Sequence, residues 1–480
     1  MVFFKFCRDN LPAIVAGAAI AAVYFLSRIV ETTLAVGVVG AIATVLVLFV
    51  ALLKKPENAL FLMAFLLPFE RIPSVDIAGM SLKINYVIAL VAFIVLLTTG
   101  IFSGRRIKSD PILAIILVLL ADFALSIAYA LNITRSLQVF SFMCLMAIAY
   151  FTVKALINKK EHIAMILRGL FYGAAVVAVL GIYQFVGDMI GLPNSLTLLK
   201  KGYDSVTFGF ARVQGASAEP LYFANYIFIP LIIAVTLLVR GRLQEIIPRW
   251  FGIFLIVLLG INFILAISRG AFLAAALTLV VFTAVNYKKI LTLKIIIPAV
   301  TIIGIIIVGT YLALLRSEPR ALDEFVGHLF INDREVGESV VVRLNAIDQA
   351  KELFWERPLL GVGIGNFGPN VHTDFDPEGK PKGGWSIVNN EYLEILAENG
   401  VVGFGIIVLL FIALFYYGIK AIRTSGGGLV AASLEGSLFA LLAILFQYLT
   451  FSTLYIFHLW FLMAFVAEQS AYLLGGHNEA

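Results

Sequence analysis

Three arginines stand beside long apolar segments, where a guanidinium group could bind an anion. Arg212 shortly precedes the apolar run that begins at Pro220, Arg269 separates two apolar runs, and Arg343 opens an amphipathic stretch. Charged side chains at membrane depth are costly and often mark function. A guanidinium binds phosphate oxygens through paired hydrogen bonds, which suits a diphosphate held at a bilayer surface. Alternatively, these side chains reach lipid headgroups or pair with carboxylates such as Glu219.

A second polar group closes the longest polar interruption of the chain, residues 317–390. It is Asn389-Asn390-Glu391, after which Glu394 and Glu398 continue one face of a helix. Gly400 and the glycine three residues later are predicted to allow close packing against a neighbouring helix. A polar loop is therefore expected to enter an apolar helix at this point.

Other motifs do not predict a bound metal or cofactor. Residues 374–379 lack the twelve-residue ligand pattern of a calcium loop, so we predict no metal. The glycine-rich run 361–365 lacks the strand, helix and Lys-Ser/Thr context of a nucleotide loop, and we predict no cofactor. His458 lies in the last apolar run and is predicted to be a satisfied core histidine.

Apolar helices must position these residues. Of 480 residues, 61% are hydrophobic and 14% are charged, which is typical of a polytopic membrane protein. The apolar runs predict an all-α integral membrane protein, a helical bundle of about 12–14 transmembrane segments. Segment 57–69 is short and is expected to be a half-helix or a re-entrant piece. The predicted spans are 11–28, 33–53, 57–69, 84–103, 112–132, 137–153, 164–187, 220–239, 251–267, 270–287, 293–315, 391–419, 430–450 and 453–473.

Lysine and arginine in the short loops predict the orientation of the chain. With a cytoplasmic N-terminus, the short basic loops fall on the cytoplasmic side, as the positive-inside trend requires. Both termini are then predicted to be cytoplasmic. Residues 193–219, the turn 268–270 and the interruption 317–390 are predicted to lie outside.

This orientation divides the chain into three predicted parts. They are an N-terminal transmembrane bundle (1–315), a large extracytoplasmic loop (316–390) that carries short amphipathic helices, and C-terminal transmembrane helices (391–480). Within the loop, residues 343–355 predict an amphipathic helix lying against the bundle or the membrane surface. Its apolar stripe is predicted to contain Leu344, Ile347, Ala350, Leu353 and Phe354.

The net charge of +5 does not predict a nucleic-acid partner. The basic residues lie in short clusters beside apolar segments, where orientation signals occur. The two cysteines, Cys7 and Cys144, are too few for a disulfide framework. Membrane lipids are therefore the surroundings that we expect.

Four motifs together resemble the O-antigen ligase and O-antigen polymerase family of bacterial envelope glycosyltransferases. They are Arg212–Pro220, Ser268-Arg269-Gly270, Arg343–Phe367 and Asn389–Gly403. The resemblance implies a multi-pass protein of the bacterial inner membrane whose donor is an undecaprenyl-diphosphate-linked oligosaccharide. It further implies transfer on the periplasmic face without a nucleotide sugar or a metal.

One departure bears on the choice between polymerase and ligase. Ligases that this chain resembles have histidine at the position of Asn389, and asparagine cannot accept a proton as imidazole does. We therefore expect an O-antigen or exopolysaccharide polymerase, whose acceptor is a second lipid-linked repeat unit and whose further partner could be a chain-length regulator. The alternative is an O-antigen ligase, whose acceptor is the lipid A-core.

Roles for the polar residues follow from this reaction, in which an acceptor hydroxyl attacks the anomeric carbon and undecaprenyl diphosphate leaves. The guanidinium groups would stabilise the diphosphate, the asparagines would orient sugar hydroxyls, and a glutamate would accept the proton. The predicted substrate-binding residues are Arg212, Arg269 and Arg343. The predicted catalytic residues are Asn389, Asn390, Glu391 and Glu219.

A transporter or flippase of lipid-linked glycans is the alternative from another class. Many transporters contain paired repeats with broken helices at matching positions. This sequence has no evident internal repeat, and its single large polar loop occurs late in the chain. The asymmetry favours a transferase.

Overall fold

The computed structural model is built from α-helices and one short β-hairpin. Predicted spans 11–28 and 293–315, and most of 33–53, lie outside the described residues. The structure describes residues 48–72, 74–77, 80–98, 110–205, 210–290, 334–376, 381 and 384–475.

A β-hairpin and a series of helices follow one another along the described parts of the chain. The hairpin pairs β1 (Ser74–Ile77) with β2 (Met80–Lys83) in antiparallel register. The helices are α1 (Asn58–Leu66), α2 (Ile84–Thr98), α3 (Pro111–Ser126), α4 (Ile133–Leu156), α5 (Lys160–Met189), α6 (Asn194–Thr197), α7 (Pro220–Val239), α8 (Arg249–Leu265), α9 (Arg269–Ile290), α10 (Arg334–Glu356), α11 (Phe367–Val371), α12 (Glu391–Thr424), α13 (Leu429–Gln447) and α14 (Phe457–Leu474).

The long apolar helices confirm the predicted all-α polytopic membrane fold. Within the described ranges, eight helical segments are long and apolar enough to cross a membrane. They correspond to α3, α4, α5, α7, α9, α12, α13 and α14, and α2 and α8 are shorter apolar helices. Helix α1 has only nine residues, too few to span a bilayer alone.

Polar side chains fix where several helices begin. The Asp110 carboxylate accepts a hydrogen bond from the Ile112 amide at 3.0 Å, and Pro111 occupies the first turn of α3. At the start of α4, Asn132 Oδ1 accepts from the Arg135 amide at 2.9 Å. These caps satisfy backbone N–H groups that have no partner inside the helix.

The last two helices form the centre of the bundle. About 83% of the apolar windows of α13 and α14 is enclosed by protein, compared with 33% for α3 at the perimeter. Small residues let the central helices approach closely: a Cβ atom at Gly436 of α13 would lie 2.9 Å from the Ile233 Cα of α7. The last two helices of the chain are therefore the most enclosed of the eight candidate spans.

A buried polar network joins three of these helices. Asn225 Nδ2 of α7 donates to Gln447 Oε1 of α13 at 2.8 Å, and His458 Nε2 of α14 lies 2.7 Å from Asn225 Oδ1. All three side chains are buried. The predicted satisfied core histidine is confirmed, since buried polar groups need partners.

Helix α10 contains the predicted amphipathic helix and buries most of the predicted stripe, with Leu344 as the exception. The apolar side faces α12 and the glycine-rich turn, where its buried residues are Ala346, Ala350 and Leu353. Leu344 was predicted on that stripe, yet 55% of its surface is exposed. The prediction for Leu344 is wrong, because the small side chain of Ala346 occupies the position that packs closely on α12.

Ion pairs mark one end of the bundle, which we call the paired end. Lys154 Nζ lies 2.7 Å from Asp110 and 3.1 Å from Glu468, and Arg240 pairs with Glu435. The opposite end, called the loop end, contains the described parts of the connections 190–219, 266–268, 357–390 and 448–456. The predicted site residues lie at the loop end.

Candidate active site

The three arginines predicted from sequence meet at the loop end. Arg212 lies in the segment before α7, Arg269 begins α9, and Arg343 belongs to α10. The charges of Arg269 and Arg343 both act on Arg212, and the charge of Arg343 also acts on Arg269. Like charges this close raise the free energy of the site, and a bound anion would offset that cost. We call this group the arginine cluster.

Arg212 is the most enclosed member of the arginine cluster. Its backbone N–H donates to the Tyr203 carbonyl at 2.9 Å, and its guanidinium lies 5.8 Å from the centre of the Tyr203 ring. Burial, followed by the charges of Arg269 and Arg343, lowers the pKa of Arg212 to about 10, while Tyr203 and Glu219 oppose this shift. The side chain therefore stays positively charged at neutral pH.

A strained turn supports Arg212 and presents Arg269. Ile267 lies between α8 and α9 with a φ of +46°, a conformation that a β-branched residue rarely adopts. Its carbonyl accepts a hydrogen bond from Arg212 Nη2 at 2.8 Å. Strain of this kind costs about 1–3 kcal/mol and collects at functional sites.

Helix α5 stabilises the segment that carries Arg212 and Glu219. Gln184 accepts a hydrogen bond from the Gly215 amide at 2.8 Å and donates to the Gly215 carbonyl at 2.9 Å. Gly215 has a φ of +54°, and a Cβ atom there would lie 2.7 Å from Val177. Glycine is required at this turn, and the segment is fixed on both sides of it.

Glu219 lies next to the arginine cluster with its carboxylate partly open to solvent. It occupies the residue before α7, 3.6 Å from Lys200 Nζ, and 40% of its side chain is exposed. Burial and the neighbouring Glu219 carboxylate, to which the Tyr203 side chain is hydrogen-bonded, raise the pKa of Tyr203 to about 12. Tyr203 therefore remains protonated and donates to Glu219.

Lys200 and Tyr203 were missed by the sequence analysis. A signal for them existed, because Lys200 and Lys201 form a basic pair in a loop predicted to be extracytoplasmic. Lysines in such a loop run against the positive-inside trend. The same argument that selected the arginines applies to this pair.

The two predicted asparagines occupy the residues immediately before α12. Asn389 has a φ of +57°, a left-handed conformation in which asparagine and histidine are both enriched. Asn390 caps α12 by accepting from the Leu393 amide at 3.1 Å, and its Nδ2 donates to the Leu449 carbonyl at 3.1 Å. The side-chain amide of Asn390 thus joins the first turn of α12 to the connection after α13.

Glu391 joins α12 to the connection between α13 and α14. Its backbone N–H donates to the Tyr448 carbonyl at 2.9 Å. Its carboxylate is buried, with 5% of the residue exposed, and accepts hydrogen bonds from the Thr453 and Leu454 amides. Of the two glutamates predicted as proton acceptors, Glu219 is therefore the one that reaches solvent.

The connection Tyr448–Ile456 brings the asparagines and Arg269 to one region. Its Leu449 carbonyl binds Asn390, as described above. Thr450 packs directly on Gly270, where a Cβ atom would lie 2.0 Å from Thr450 Oγ1. The Arg269 turn and the start of α12 thus contact neighbouring residues of the same loop.

A kink in α12 opens its backbone to the glycine-rich segment. Gly400 has a φ of +61° and a ψ of −163°, which interrupts the helix, and a Cβ atom there would lie 2.3 Å from the Leu359 carbonyl oxygen. Gly400 therefore packs against residues 358–363, and the prediction of a neighbouring helix is wrong at this position. Four backbone hydrogen bonds fill the opening: Val362 to Ala397, Gly363 to Glu398, Val401 to Pro358 and Val402 to Leu359, at 2.8–3.2 Å.

The acidic face of α12 binds backbone amides of the surrounding loops. Glu398 accepts from the Gly365 and Phe367 amides, each at 2.8 Å. Glu394 accepts from the Val388 amide at 3.0 Å. Charge-assisted bonds of this type are stronger than neutral ones. These carboxylates therefore order residues 365–367 and the residue before Asn389.

The arginine cluster supplies positive charge to this site. Across the described ranges, no group of three or more His, Cys, Asp or Glu side chains could hold a metal ion. Asp374 and Asp376 of the acidic motif 374–379 are described, while residues 377–379 of that motif are not. The arginine cluster fits an anion such as a phosphate group.

The sequence of this region matches a known family. Residues 253–408 match the family described as Wzy_C: O-Antigen ligase. Residues 253–408 thus resemble an O-antigen ligase domain. This confirms the resemblance to the O-antigen ligase and polymerase family. The domain contains Arg269, Arg343 and Asn389, whereas Arg212 and Glu219 precede it.

The family sets the general activity. O-antigen ligases and polymerases are glycosyltransferase-like enzymes that use a lipid-linked glycan donor and an acceptor sugar. The family and the long apolar helices together indicate a multi-pass protein of the bacterial inner membrane. No curated protein matches the chain.

Proposed function

We propose that the protein is a periplasmic-face glycosyltransferase that moves an undecaprenyl-diphosphate-linked glycan to an acceptor sugar, acting as an O-antigen or exopolysaccharide polymerase. The arginine cluster carries this proposal. Three guanidinium groups that repel one another would be stabilised by a diphosphate. They would bind it more tightly still as its negative charge grows during departure.

In the proposed reaction, the hydroxyl oxygen of the acceptor attacks the anomeric carbon of the donor. The bond between that carbon and the phosphate oxygen breaks, and its electron pair leaves with undecaprenyl diphosphate. Arg212 and Arg269 bind the diphosphate, and Arg343 assists from α10. Attack opposite the leaving group inverts the anomeric centre. The proposal requires no metal and no nucleotide sugar.

Glu219 is the proposed acceptor of the hydroxyl proton. Its partial exposure and its position beside Arg212 support this role. Glu391 instead acts through the backbone, since its carboxylate already binds the amides of residues 453 and 454. Asn389 would orient a sugar hydroxyl, and Asn390 would hold Asn389 in place through its two hydrogen bonds.

The proposed orientation places the loop end in the periplasm and both termini in the cytoplasm. Lys154, Arg240 and Arg242 at the opposite end support it, because basic residues collect in cytoplasmic loops. A chain-length regulator is a proposed partner of such a polymerase. A flippase remains the rival from another class, and sugar transfer by the protein would exclude it as the sole activity.

An O-antigen ligase is the second proposed function, favoured by the description of the matched family. The acceptor would then be the lipid A-core. The left-handed backbone at residue 389 accommodates either asparagine or the histidine of ligases. Asparagine cannot accept the proton, however, so a ligase would also need a base such as Glu219.

The deciding experiment measures the sizes of lipid-linked and surface glycans in a deletion strain of the source bacterium. The strain is complemented with wild type, Arg212→Ala, Arg269→Ala or the control Arg242→Ala, whose ion pair is exposed and remote from the loop end. Wild type and the control should restore long polymer, and the cluster variants should leave single repeat units on the surface. Full-length polymer retained on undecaprenyl diphosphate would identify a ligase. Unchanged glycans in every strain would reject both proposals.

A further inference from the structure

A pocket of about 470 Å³ opens at the loop end, between the start of α4 and the segment after α11. Asn132 and Thr134 lie along one wall, and Phe375 and Trp385 along the other. None of the described residues that line it carries a charge. Its volume lies within the range of about 300–1,000 Å³ that is usual for small-molecule sites.

The aromatic wall is fixed before any ligand binds. His372 packs edge-to-face on Phe375, with ring centres 5.2 Å apart at 84°, and on Trp385 at 5.9 Å and 74°. The histidine is itself held, because its Nδ1 lies 3.0 Å from Ser386 Oγ and its Nε2 lies 2.6 Å from the Asp374 carbonyl oxygen. Edge-to-face pairs are favourable, so the rings keep the pocket open rather than collapse into it.

The pocket lies close to the proposed transfer site. Trp385 precedes Asn389 by four residues in a continuous described segment, so their Cα atoms are at most about 14 Å apart. The opposite wall is tied to the same loop, since the Asn132 amide donates to Asn366 Oδ1 at 2.7 Å. A glycan that reaches Asn389 could therefore also occupy the pocket.

We infer that this pocket binds a neutral pyranose unit of the glycan. A pyranose has an apolar C–H face that packs on an aromatic ring, and edge hydroxyls that bond to amide and hydroxyl side chains. The described lining residues are uncharged and so favour a neutral sugar over the diphosphate, which binds best to cations. The inference rests on the proposed function for the origin of the sugar, although binding itself does not require transfer.

Binding is tested with the full-length protein in phospholipid nanodiscs. The probe is the lipid-free oligosaccharide repeat unit released from the source strain's own polymer, and its affinity is measured by calorimetry. Trp385→Ala should weaken binding roughly tenfold or more, because the aromatic face is lost. Thr134→Val keeps the side-chain volume, removes the hydroxyl and should weaken binding by a smaller factor.

Trp355→Ala is the matched control, since Trp355 lies on α10 with 75% of its surface exposed and does not line the pocket. Its affinity for the oligosaccharide should equal that of wild type. Equal affinity for Trp385→Ala and wild type would overturn the inference. Loss of oligosaccharide binding when the phospholipid content is raised would also overturn it, because the pocket would then be a lipid site.

A second readout separates a sugar contact from a folding defect. In the complemented strain, Trp385→Ala should shorten the polymer, Trp385→Phe should restore part of its length, and Trp355→Ala should leave it unchanged. The thermal midpoint of the purified Trp385→Phe protein should match that of wild type. Shortening by Trp355→Ala to the same extent would overturn the inference.

The outcomes also distinguish this inference from the proposed function. Trp385-dependent oligosaccharide binding without transfer by wild type would reject the proposed function and support the pocket. Transfer that depends on Arg212, combined with binding that does not depend on Trp385, would reject the pocket alone.

Discussion

The paired end and the arginine cluster place positive charge in different surroundings. At the paired end, Arg240 forms an ion pair with Glu435, and Lys154 lies between Asp110 and Glu468. In the arginine cluster at the loop end, the nearest formal charges include other arginines. The fold accounts for the charges of the paired end, because each joins two helices. In the arginine cluster the fold also brings like charges together, and a bound anion would offset their repulsion.

Replacing one arginine at each end gives the largest expected contrast. Arg212→Ala should lower glycan transfer by about 100-fold or more, the usual cost of removing one group that stabilises transition-state charge. Arg240→Ala should lower the thermal midpoint but leave transfer per folded molecule near wild type. Both are measured on purified protein with a lipid-linked donor. Equal loss of transfer in the two variants would remove the contrast.

Gly400→Ala should disturb the loop end without touching a charge. Its positive φ and the nearby Leu359 carbonyl leave no room for a Cβ atom, and the backbone strain alone costs about 1–3 kcal/mol. We expect a lower thermal midpoint and increased proteolysis within residues 357–376. Gly405→Ala is the control, since a Cβ atom there meets nothing within 4 Å. Similar thermal midpoints for the two variants would contradict the proposed close packing of Gly400 against residues 358–363.

Glu435→Gln should weaken only the paired end. It removes the charge that faces Arg240 and Asn286, and the partly buried pair should cost about 1–3 kcal/mol, between the values for exposed and buried pairs. The thermal midpoint should fall, while transfer by the remaining folded protein should persist. A specific loss of transfer would show that the two ends are coupled.

The smallest effect is expected from pH in the neutral range. The pKa of Arg212 is lowered to about 10, so its guanidinium stays charged below that value. Its contribution to donor binding should be constant between pH 6 and 8 and decline as the pH rises through about 10. Arg212→Lys should move this decline to lower pH, because an amine loses its proton more readily in the same surroundings. A wild-type decline below pH 8 would contradict this assignment.

The sequence predicted the features that depend on residue type. Apolar length gave the spans, and the rarity of external arginines pointed to Arg212, Arg269 and Arg343. The partners of the acidic face of α12 could not be predicted, because Glu394 and Glu398 bind backbone amides, which leave no pattern in a sequence. The contact of Gly400 with a non-helical segment was missed for the same reason.

Leu344 and Tyr203 illustrate two further limits. Helical periodicity placed Leu344 on the apolar stripe, but the structure buries Ala346 against α12 and leaves Leu344 exposed. Tyr203 lies beside Arg212, although the two are nine positions apart in the chain. Helical or strand spacing does not predict a contact at that separation.

Four main-chain hydrogen bonds join α12 to residues 358–363, and the buried Val362 side chain packs in one cluster with Ala397 beside them. Leu359 and Leu360 of the same segment are exposed. The side chains of Leu359 and Leu360 can therefore diverge during evolution while the main-chain hydrogen bonds of this segment are preserved. This makes the segment a natural crossover point, at which the large loop of one family member could be grafted onto the helices of another.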